Sequence, residues 1–284
     1  MILPLFECGA QRFDEIVKPG MLCAFDFDGT LAPIVQEPGR ACMSAAVLRR
    51  LICLKKSARV AIITGRSVAD VSTRLDFEPD FVIGNHGIEG IPGWEDRHAS
   101  YRQVCDDWNR QLTKALNDHA IFDPEIWIEQ KTFSLSIHYR IARDRNKAEA
   151  ELLRLFATLM PTPHVVSGKC VFNLLPTDAP DKGMALDRLC ELSEAQTAIY
   201  VGDDVTDEDV FRLHRKDWLT VRVERADDSA AEFYLYHRLD VVQLLEILIK
   251  RLSGEQSSQG RSSADQRTAE KSAVGKVHDK YDKS

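Results

Sequence analysis

The sequence predicts an α/β fold, in which a parallel β-sheet is covered by helices and interrupted by a smaller α+β domain. Two observations support this class. Short apolar runs alternate with amphipathic helical stretches, as they do where strands are joined by crossover helices. The stretch from 88 to 178 departs from that alternation, because strand-like runs follow one another there with helices on either side. The predicted boundaries are 1–87 and 179–252 for a discontinuous core and 88–178 for the inserted domain.

The core strands are predicted where short apolar runs end at polar residues or glycine. A helix is expected over residues 44–56, with Ser44 as its N-cap before an amphipathic run. The strand candidates are MLCAFDF at 21–27, RVAIIT at 59–64, DFVIG at 80–84, TAIYVG at 197–202 and LTVRV at 219–223.

The inserted domain is predicted to contain two long helices, near 101–119 and near 145–160. Its strand candidates are EIWIEQ at 125–130, TFSLSIHYR at 132–140, HVVSG at 164–168 and CVFNLLP at 170–176. Residues 253–284 hold only scattered apolar side chains among Ser, Gln, Asp and Lys, so we predict a disordered C-terminal tail.

Composition narrows the range of partners. The chain has 284 residues, is 44% hydrophobic and carries a formal charge of −7, so it lacks the basic character of nucleic-acid and membrane-surface binders. No segment approaches the roughly 18 apolar residues of a membrane span, and the N-terminus has no leader pattern, so a cytoplasmic location is expected. The seven cysteines form no C-x-x-C pair and indicate neither a disulfide framework nor a zinc site. A small-molecule partner is the remaining expectation.

Two aspartates, Asp26 and Asp28, follow the first predicted strand directly. Alternation along an extended chain puts both on the same side, and Gly29 permits a sharp exit from the strand. Two like charges at the end of a buried strand repel each other and lose hydration. A bound cation would offset both costs.

Two further signals follow the next strands. In ITGRS, Thr64 ends a strand and Gly65 begins a turn, so a hydroxyl and free amides could bind phosphate oxygens, or Thr64 could simply cap a helix. Lys182 opens an amphipathic run, where a cation is unfavourable against the positive helix end. It is either an exposed surface lysine or the partner of a bound anion.

The stretch GDDVTDEDVF supplies a second acidic cluster. Asp203 and Asp204 directly follow a strand and favour a cation site, whereas helix capping alone could explain Asp207 and Glu208. Open α/β sheets bind ligands at the carboxyl ends of their strands, where all four signals fall. Carboxylates together with phosphate-binding groups predict phosphoryl transfer with Mg²⁺.

Two other phosphate and metal motifs are excluded. The Gly-Lys pair in VVSGKC lacks the upstream glycine and the following Ser or Thr of a P-loop. DFDGTLAPIVQE has glycine in the wrong place for an EF-hand, and apolar residues where ligands are needed.

The four motifs resemble, in order, those of the haloacid dehalogenase superfamily of aspartate-nucleophile phosphatases, over roughly residues 20–250. More narrowly, the chain resembles the trehalose-6-phosphate phosphatases. The fragments that carry this resemblance are DFDGTLAPI, ITGRS, GNHGIEG, SIHYR, SGKCVFNLLP and GDDVTDEDVF. The resemblance implies a Rossmann-like parallel-sheet core with an inserted α+β cap domain that closes over the substrate.

The resemblance also implies catalytic roles. Asp26 would be the nucleophile that forms an aspartyl-phosphate, and Asp28 the general acid and base. Thr64 and Lys182 would hold the phosphate oxygens. The implied Mg²⁺ site consists of Asp26, Asp28 and Asp203, with Asp204 and Asp207 in support.

A substrate site is implied in the same way. Its residues are Gly65, Arg66, His86, Glu89, Lys131, His138, Arg140, Lys169 and Asn173. Asn173 stands where these phosphatases usually have a glutamate that contacts the sugar, and it can hydrogen-bond but carries no charge.

The expected reaction is hydrolysis of trehalose-6-phosphate to trehalose and phosphate, the last step of trehalose biosynthesis. Two alternatives remain open: the same chemistry on another glycosyl phosphate, and a receiver-like regulatory module that accepts phosphate on aspartate without turnover. Asp28 and the inserted domain argue against the module, because a switch needs neither. The family suggests functional pairing with a trehalose-6-phosphate synthase, and a monomer is the default expectation for the oligomeric state.

Overall fold

The computed structural model describes residues 2–35, 37–118 and 122–254. Within these residues the chain forms two β-sheets, one of seven strands and one of four. The seven-stranded sheet is parallel throughout, and its strand order is β1-β11-β10-β9-β2-β3-β4. Its strands are β1 (Leu3–Pro4), β2 (Leu22–Phe25), β3 (Arg59–Ile63), β4 (Phe81–Ile83), β9 (Ala198–Gly202), β10 (Trp218–Val223) and β11 (Phe233–Leu235).

The four-stranded sheet is antiparallel, with the order β5-β6-β8-β7. Its strands are β5 (Trp127–Gln130), β6 (Leu135–His138), β7 (His164–Gly168) and β8 (Val171–Leu175). The α-helices of the described residues are α1 (Leu5–Cys8), α2 (Ala10–Ile16), α3 (Ala45–Leu54), α4 (Val68–Ser72), α5 (His98–Asp118), α6 (Arg145–Phe156), α7 (Lys182–Ser193), α8 (Glu208–Phe211) and α9 (Val241–Leu252).

The seven-stranded sheet is buried on both faces. In β2, Cys23 and Phe25 join an apolar cluster with helices α2, α3 and α9, while Leu22 and Ala24 join a cluster on the opposite face with α7 and α8. This two-sided burial explains why the core strands read as continuous apolar runs rather than as alternating ones. The fold class predicted from the sequence is confirmed.

Most of the predicted elements are present, with small differences at their ends. Helix α3 begins directly after Ser44, whose hydroxyl accepts a hydrogen bond from the Val47 amide. The helix after Thr64 begins only at Val68, because Ser67 is its N-cap. The sequence analysis missed β1 and β11, which are too short to carry a pattern. The predicted tail lies mostly beyond Gly254, outside the described residues.

The chain passes between the two sheets through residues 84–97 and 176–181. Arg97 in the first segment pairs with the Asp178 carboxylate in the second (2.9 Å), and Tyr101 at the start of α5 donates a hydrogen bond to the Asp178 carbonyl (3.0 Å). A side chain at Gly87 would collide with the Asp181 backbone. These contacts hold the two connecting segments together, and the second segment ends directly before Lys182.

Two findings concern other sequence-based expectations. Among the helices of the described residues, none is long and apolar enough to cross a bilayer. All seven cysteines are free thiols, and three of them, Cys23, Cys105 and Cys190, are buried.

Candidate active site

A cavity of about 230 Å³ lies between the carboxyl edge of the seven-stranded sheet and one face of the four-stranded sheet. Most of the residues predicted for the site line it. They are Asp26, Asp28, Thr64, Gly65, Arg66, His86, Lys131, His138, Arg140, Lys169, Asn173, Lys182, Asp203 and Asp204. Two predicted residues, Glu89 and Asp207, are not part of the cavity wall.

Lys182 is buried between two carboxylates at the floor of the cavity. Its Nζ donates hydrogen bonds to Asp26 Oδ1 and to Asp207 Oδ1, each over 2.8 Å. Burial by itself would lower the pKa of Lys182, but the charges of Asp207 and Asp26 outweigh it and raise that pKa well above its ordinary value. Lys182 therefore stays positively charged. The two carboxylates explain why a cation is tolerated at the N-terminal end of α7.

Asp207 is saturated with hydrogen bonds from the protein. Besides Lys182, the Tyr200 hydroxyl donates to Asp207 Oδ1 (2.6 Å), and the Asp204 amide donates to Asp207 Oδ2 (2.8 Å). Asp207 is completely buried. Its geometry suits a residue that holds Lys182 and the Asp204 loop in place.

Asp26 and Asp203 are the buried carboxylates that face the cavity. Burial and the nearby charges of Asp207 and Asp203 raise the pKa of Asp26 well above its ordinary value, although Lys182 opposes this. Burial, with Asp207 and Asp204 nearby, raises the pKa of Asp203 to about 7. Ionisation of either carboxylate therefore costs free energy unless a cation binds beside it.

These carboxylates fit a metal ion. One oxygen each from Asp26, Asp203 and Asp207 lies within 4.8 Å of the other two. Oxygen donors with excess negative charge are the ligands that hard divalent cations prefer. Because the Asp207 oxygens already accept three hydrogen bonds, Asp26 and Asp203 are the better candidates for direct ligands.

Gly29 explains how Asp203 comes so close to the first strand. Gly29 has a φ of +84°, and a Cβ atom there would overlap the Asp203 carboxylate. Asp203 also accepts a hydrogen bond from the Thr30 hydroxyl (3.3 Å). The glycine of the first motif therefore makes room for the aspartate of the fourth.

Asp28 points into the cavity and is held by Arg66. The guanidinium donates from Nε to Asp28 Oδ2 (2.6 Å) and from Nη2 to Asp28 Oδ1 (2.7 Å). Its third nitrogen, Nη1, donates to Asp70 Oδ2 (2.6 Å). Asp70, which the sequence analysis did not single out, thus takes part in the wall of the cavity.

Thr64 and Gly65 form a tight corner beside Asp26. The Thr64 hydroxyl accepts a hydrogen bond from the Arg66 amide (3.3 Å), and the Thr64 carbonyl accepts one from the His86 amide (3.0 Å). A side chain at Gly65 would collide with the His86 ring. The glycine therefore lets the imidazole reach the cavity.

His86 is a buried neutral imidazole. Its backbone has a φ of +61°, and neither ring nitrogen has a hydrogen-bond partner among the described residues. Burial, with Lys131 and Lys182 nearby, lowers the pKa of His86 well below its ordinary value. The ring offers one donor and one acceptor to whatever occupies the cavity.

Glu89 supports the loop rather than the cavity. Its Oε2 accepts hydrogen bonds from the Val68 amide (2.9 Å) and from Asn85 Nδ2 (2.7 Å). These contacts tie the start of α4 to the segment that carries His86. Spacing within GNHGIEG could not distinguish this role from a contact with the ligand.

The wall on the side of the four-stranded sheet is rich in hydrogen-bond donors. Lys131 Nζ donates to the Gly65 carbonyl (3.1 Å) across the cavity, and burial lowers the pKa of this lysine. Asn173 Oδ1 accepts a hydrogen bond from the Ser136 hydroxyl (2.6 Å). At the rim, Arg140 and Lys169 are exposed and joined by a hydrogen bond from Arg140 to the Lys169 carbonyl (3.0 Å).

Glu129 is a cavity residue that sequence reasoning missed. It hydrogen-bonds His138 Nε2 over 2.9 Å, which lowers the pKa of Glu129, and the His138 ring stacks on Trp127 at 3.9 Å between centroids. Glu129 lies in β5 and precedes Lys131, just beyond the end of the strand, by two positions, and both side chains line the cavity. That period-2 relation was the signal available in the sequence.

The model of the trehalose-phosphatase family matches residues 24–236. A trehalose-phosphate phosphatase of Mycobacterium marinum is 32% identical over 257 residues, which cover 85% of this chain and 65% of that protein. Trehalose-phosphate phosphatase B of Arabidopsis thaliana is 28% identical, with 86% of this chain and 71% of the relative covered. The chain thus spans just under two thirds of the length of the mycobacterial relative.

The fold agrees with these matches. The C-terminal domain of the C. albicans trehalose-6-phosphate phosphatase superposes with a TM-score of 0.66 at 23% identity, covering 84% of this chain and 94% of that domain. The match to the family model includes both acidic clusters, Thr64 and Lys182, which the fold brings to one cavity. This chain belongs to the trehalose-phosphatase family.

Proposed function

We propose that this chain is a Mg²⁺-dependent phosphomonoester hydrolase that converts trehalose-6-phosphate to trehalose and phosphate. The observation that carries the proposal is the Asp26–Lys182 pair at the floor of a cavity whose opposite wall is lined with groups that can hydrogen-bond a sugar. Segment 88–178 would act as the cap over this cavity.

Asp26 is the proposed nucleophile. Its carboxylate lies at the cavity floor, and Lys182 fixes one oxygen while leaving the other available to attack phosphorus. Lys182 would also neutralise charge on the phosphate, as preorganised cations do at developing negative charge. Thr64 and the backbone of the Gly65 turn would hold the remaining phosphate oxygens.

Asp28 is the proposed general acid and base. It lines the same cavity as Asp26 and follows it by two residues. It would protonate the departing sugar oxygen and then accept the proton of the hydrolytic water.

Mg²⁺ is the proposed cofactor. Asp26, Asp203 and the Asp28 carbonyl would hold the ion, while Asp204 and Asp207 would support the site. When bound, the ion would offset the negative charge that the buried carboxylates and the phosphate bring together.

The sugar is proposed to bind against the wall formed by the four-stranded sheet. His86, Lys131, His138 and Asn173 offer donors, and Glu129 offers an acceptor, to the hydroxyls of a disaccharide. Because Asn173 carries no charge where the related phosphatases usually have a glutamate, other glycosyl phosphates are a second candidate substrate class. Arg140 and Lys169 at the rim would attract an anionic substrate.

Phosphate release from a panel of substrates tests the proposal. The panel contains trehalose-6-phosphate, glucose-6-phosphate and sucrose-6-phosphate, each with Mg²⁺ or with EDTA. Asp26→Asn removes the nucleophile at constant shape and should abolish turnover, while the matched surface variant Asp227→Asn should not. A Mg²⁺-dependent preference for trehalose-6-phosphate is the expected result.

Other results would change the assignment in defined ways. If another glycosyl phosphate is preferred, the mechanism stands and the substrate is reassigned. A stable phosphoprotein without turnover would support the receiver-like module instead. Phosphate release that persists in Asp26→Asn would contradict the nucleophile. The cytoplasmic location and the pairing with a synthase stay predictions.

A further inference from the structure

Each of the three guanidinium nitrogens of Arg66 donates a hydrogen bond to a carboxylate beside the cavity. Two of its nitrogens bind the two oxygens of Asp28 in a bidentate pair, over 2.6 Å and 2.7 Å, and the third binds Asp70 over 2.6 Å. Its side chain is only 10% exposed, and it lies over the Phe27 ring at 5.6 Å. Three of the five N–H groups of the guanidinium therefore donate to carboxylates, and the two bonds to Asp28 fix both of its oxygens.

A second layer of contacts fixes Arg66 from behind. Asp70 receives hydrogen bonds from Arg74 on both of its oxygens, from Nε over 3.3 Å and from Nη2 over 2.6 Å. Arg74 in turn donates to the Gly39 carbonyl (2.7 Å). Ser67 caps the helix that carries Asp70, and Arg74 lies two residues beyond the end of that helix at Ser72. The plane of the Arg66 guanidinium is therefore set by the start of α4.

Asp28 would be poorly fixed without this pair. Its side chain is 37% exposed, and it lies on the loop that leaves β2. A bidentate arginine fixes both oxygens of a carboxylate and the plane in which they lie, which a lysine cannot do. Proton transfer to a reacting oxygen depends on such fixed geometry.

We propose that Arg66 is a positioning residue that holds Asp28 in the orientation required for proton transfer, rather than a residue that binds the substrate. This inference rests on the phosphatase function proposed above. It replaces the role expected for Arg66 from the family resemblance. Arg66 acts on the reaction only through Asp28 and does not touch the transferred group.

The reaction places two demands on Asp28. In the first step an oxygen of Asp26 forms a bond to phosphorus, the bond from phosphorus to the sugar oxygen breaks, and that oxygen takes the proton of Asp28. In the second step water attacks the phosphorus and gives a proton to Asp28, while the bond from phosphorus to the Asp26 oxygen breaks and its electron pair returns to the Asp26 carboxylate. Both transfers use the same carboxyl group in one orientation.

The two roles of Arg66 predict different kinetics. A substrate-binding residue contributes to KM, whereas a residue that orients the acid and base contributes to kcat. We therefore expect Arg66→Met to lower kcat for trehalose-6-phosphate at least about tenfold while KM changes less than about threefold. Arg66→Lys keeps the charge but lacks the fork, so it should lower kcat to a similar extent.

The matched control is Arg12→Met. Arg12 is also a partly buried arginine that bridges a carboxylate, Glu232, and backbone carbonyls, but it lies outside the cavity. Thermal unfolding of all three variants shows whether each one folds. The control should keep the parent kcat, which separates a loss of positioning from a general loss of stability.

A second measurement uses a phosphate ester with a better leaving group. Aryl phosphates such as 4-nitrophenyl phosphate release a weakly basic oxygen that needs no proton, so the first step no longer depends on Asp28. We expect the Arg66 variants to lose much less in the rate of that first step, measured as the initial burst of nitrophenol, than with the sugar phosphate.

Each result decides between the two roles. A raised KM with unchanged kcat would overturn the proposal and restore Arg66 as a substrate contact. Full kcat in Arg66→Lys would show that charge alone suffices, which also overturns it, and so would a variant faster than the parent. If the parent itself releases no phosphate from any ester, the proposed function fails, and that result is separate from any outcome for Arg66.

Discussion

At the scale of single residues, Gly29 has two separate reasons to lack a side chain. Its φ of +84° lies in the left-handed region, and a Cβ atom on Gly29 would overlap the carboxylate of Asp203. Gly20 shares the first property, with a φ of +85°, but no atom lies within 4 Å of the position of its missing Cβ. Substitutions at these two glycines can therefore distinguish the effect of backbone strain from the effect of steric overlap with Asp203.

We expect Gly29→Ala to lower stability by about 1 to 3 kcal/mol and to reduce kcat at least about tenfold, because the methyl group displaces Asp203. Gly20→Ala should cost about 1 kcal/mol through strain alone and leave kcat unchanged. Urea denaturation and phosphate release measure the two effects. Equal activity in both variants would mean that Asp203 tolerates displacement.

The acidic residues of GDDVTDEDVF show what residue-level reasoning could and could not predict. The sequence indicated correctly that this stretch would meet Asp26, because strand ends of a parallel sheet share one edge. It could not separate the cavity-facing Asp203 from the internally bonded Asp207, since that depends on Tyr200 and Lys182, whose hydrogen bonds form only in the fold. Glu89 was assigned to the ligand for the same reason, although its partners are Val68 and Asn85.

At the scale of elements, strands were predictable where their apolar runs are continuous. β2, β3 and β9 are central strands buried on both faces, so their sequences carry a strong signal. β1 and β11 have two and three residues, and the sequence cannot distinguish such short strands from loop segments. Glu129 was missed because one acidic residue on a strand beside solvent is common.

Helix α9 supports the sheet at a distance from the cavity. Leu245 is completely buried in the apolar cluster that α9 shares with α3, whereas Leu239, just before the helix, is 69% exposed. The first side chain therefore contributes to the core and the second does not.

We expect Leu245→Ala to lower the free energy of unfolding by about 2 to 5 kcal/mol, through lost burial and the cavity it leaves. Leu239→Ala should change it by less than about 0.5 kcal/mol. Chemical denaturation checks both values, and kcat below the unfolding range should match the parent in each case. A loss of kcat in folded Leu245→Ala would show that α9 influences the site.

At the scale of the whole molecule, the acidic floor of the cavity makes stability depend on pH and metal. The pKa of Asp203 is raised from 3.8 to about 7, and that of Asp26 is raised as well. The folded metal-free chain therefore binds protons that the unfolded chain releases at the same pH. Its free energy of unfolding should receive the full contribution of these groups near pH 4 and lose it as the pH rises towards about 7.

Thermal unfolding with EDTA at a series of pH values measures this effect. Asp203→Asn removes the charge, so it should be more stable than the metal-free parent near neutral pH, and this difference should disappear towards pH 4. Mg²⁺ should raise the Tm of the parent more at neutral than at acidic pH, because it binds the ionised carboxylates. If Asp203→Asn is no more stable than the parent at neutral pH, the acidic floor does not limit stability.

The long separation along the chain between Asp26 and its partner Lys182 also has a consequence for biosynthesis. The two residues are 156 positions apart, and β2 pairs with β9 on the side that faces away from β3. A ribosome that adds about 5 to 20 residues per second needs roughly 8 to 30 s to make the intervening segment. During that interval the nascent chain exposes an apolar strand that is paired on one side only and is followed by Asp26, whose partner Lys182 has not yet been made. The segment from 88 to 178 can therefore fold during synthesis before the seven-stranded sheet is complete, although the first strands of that sheet are made earlier.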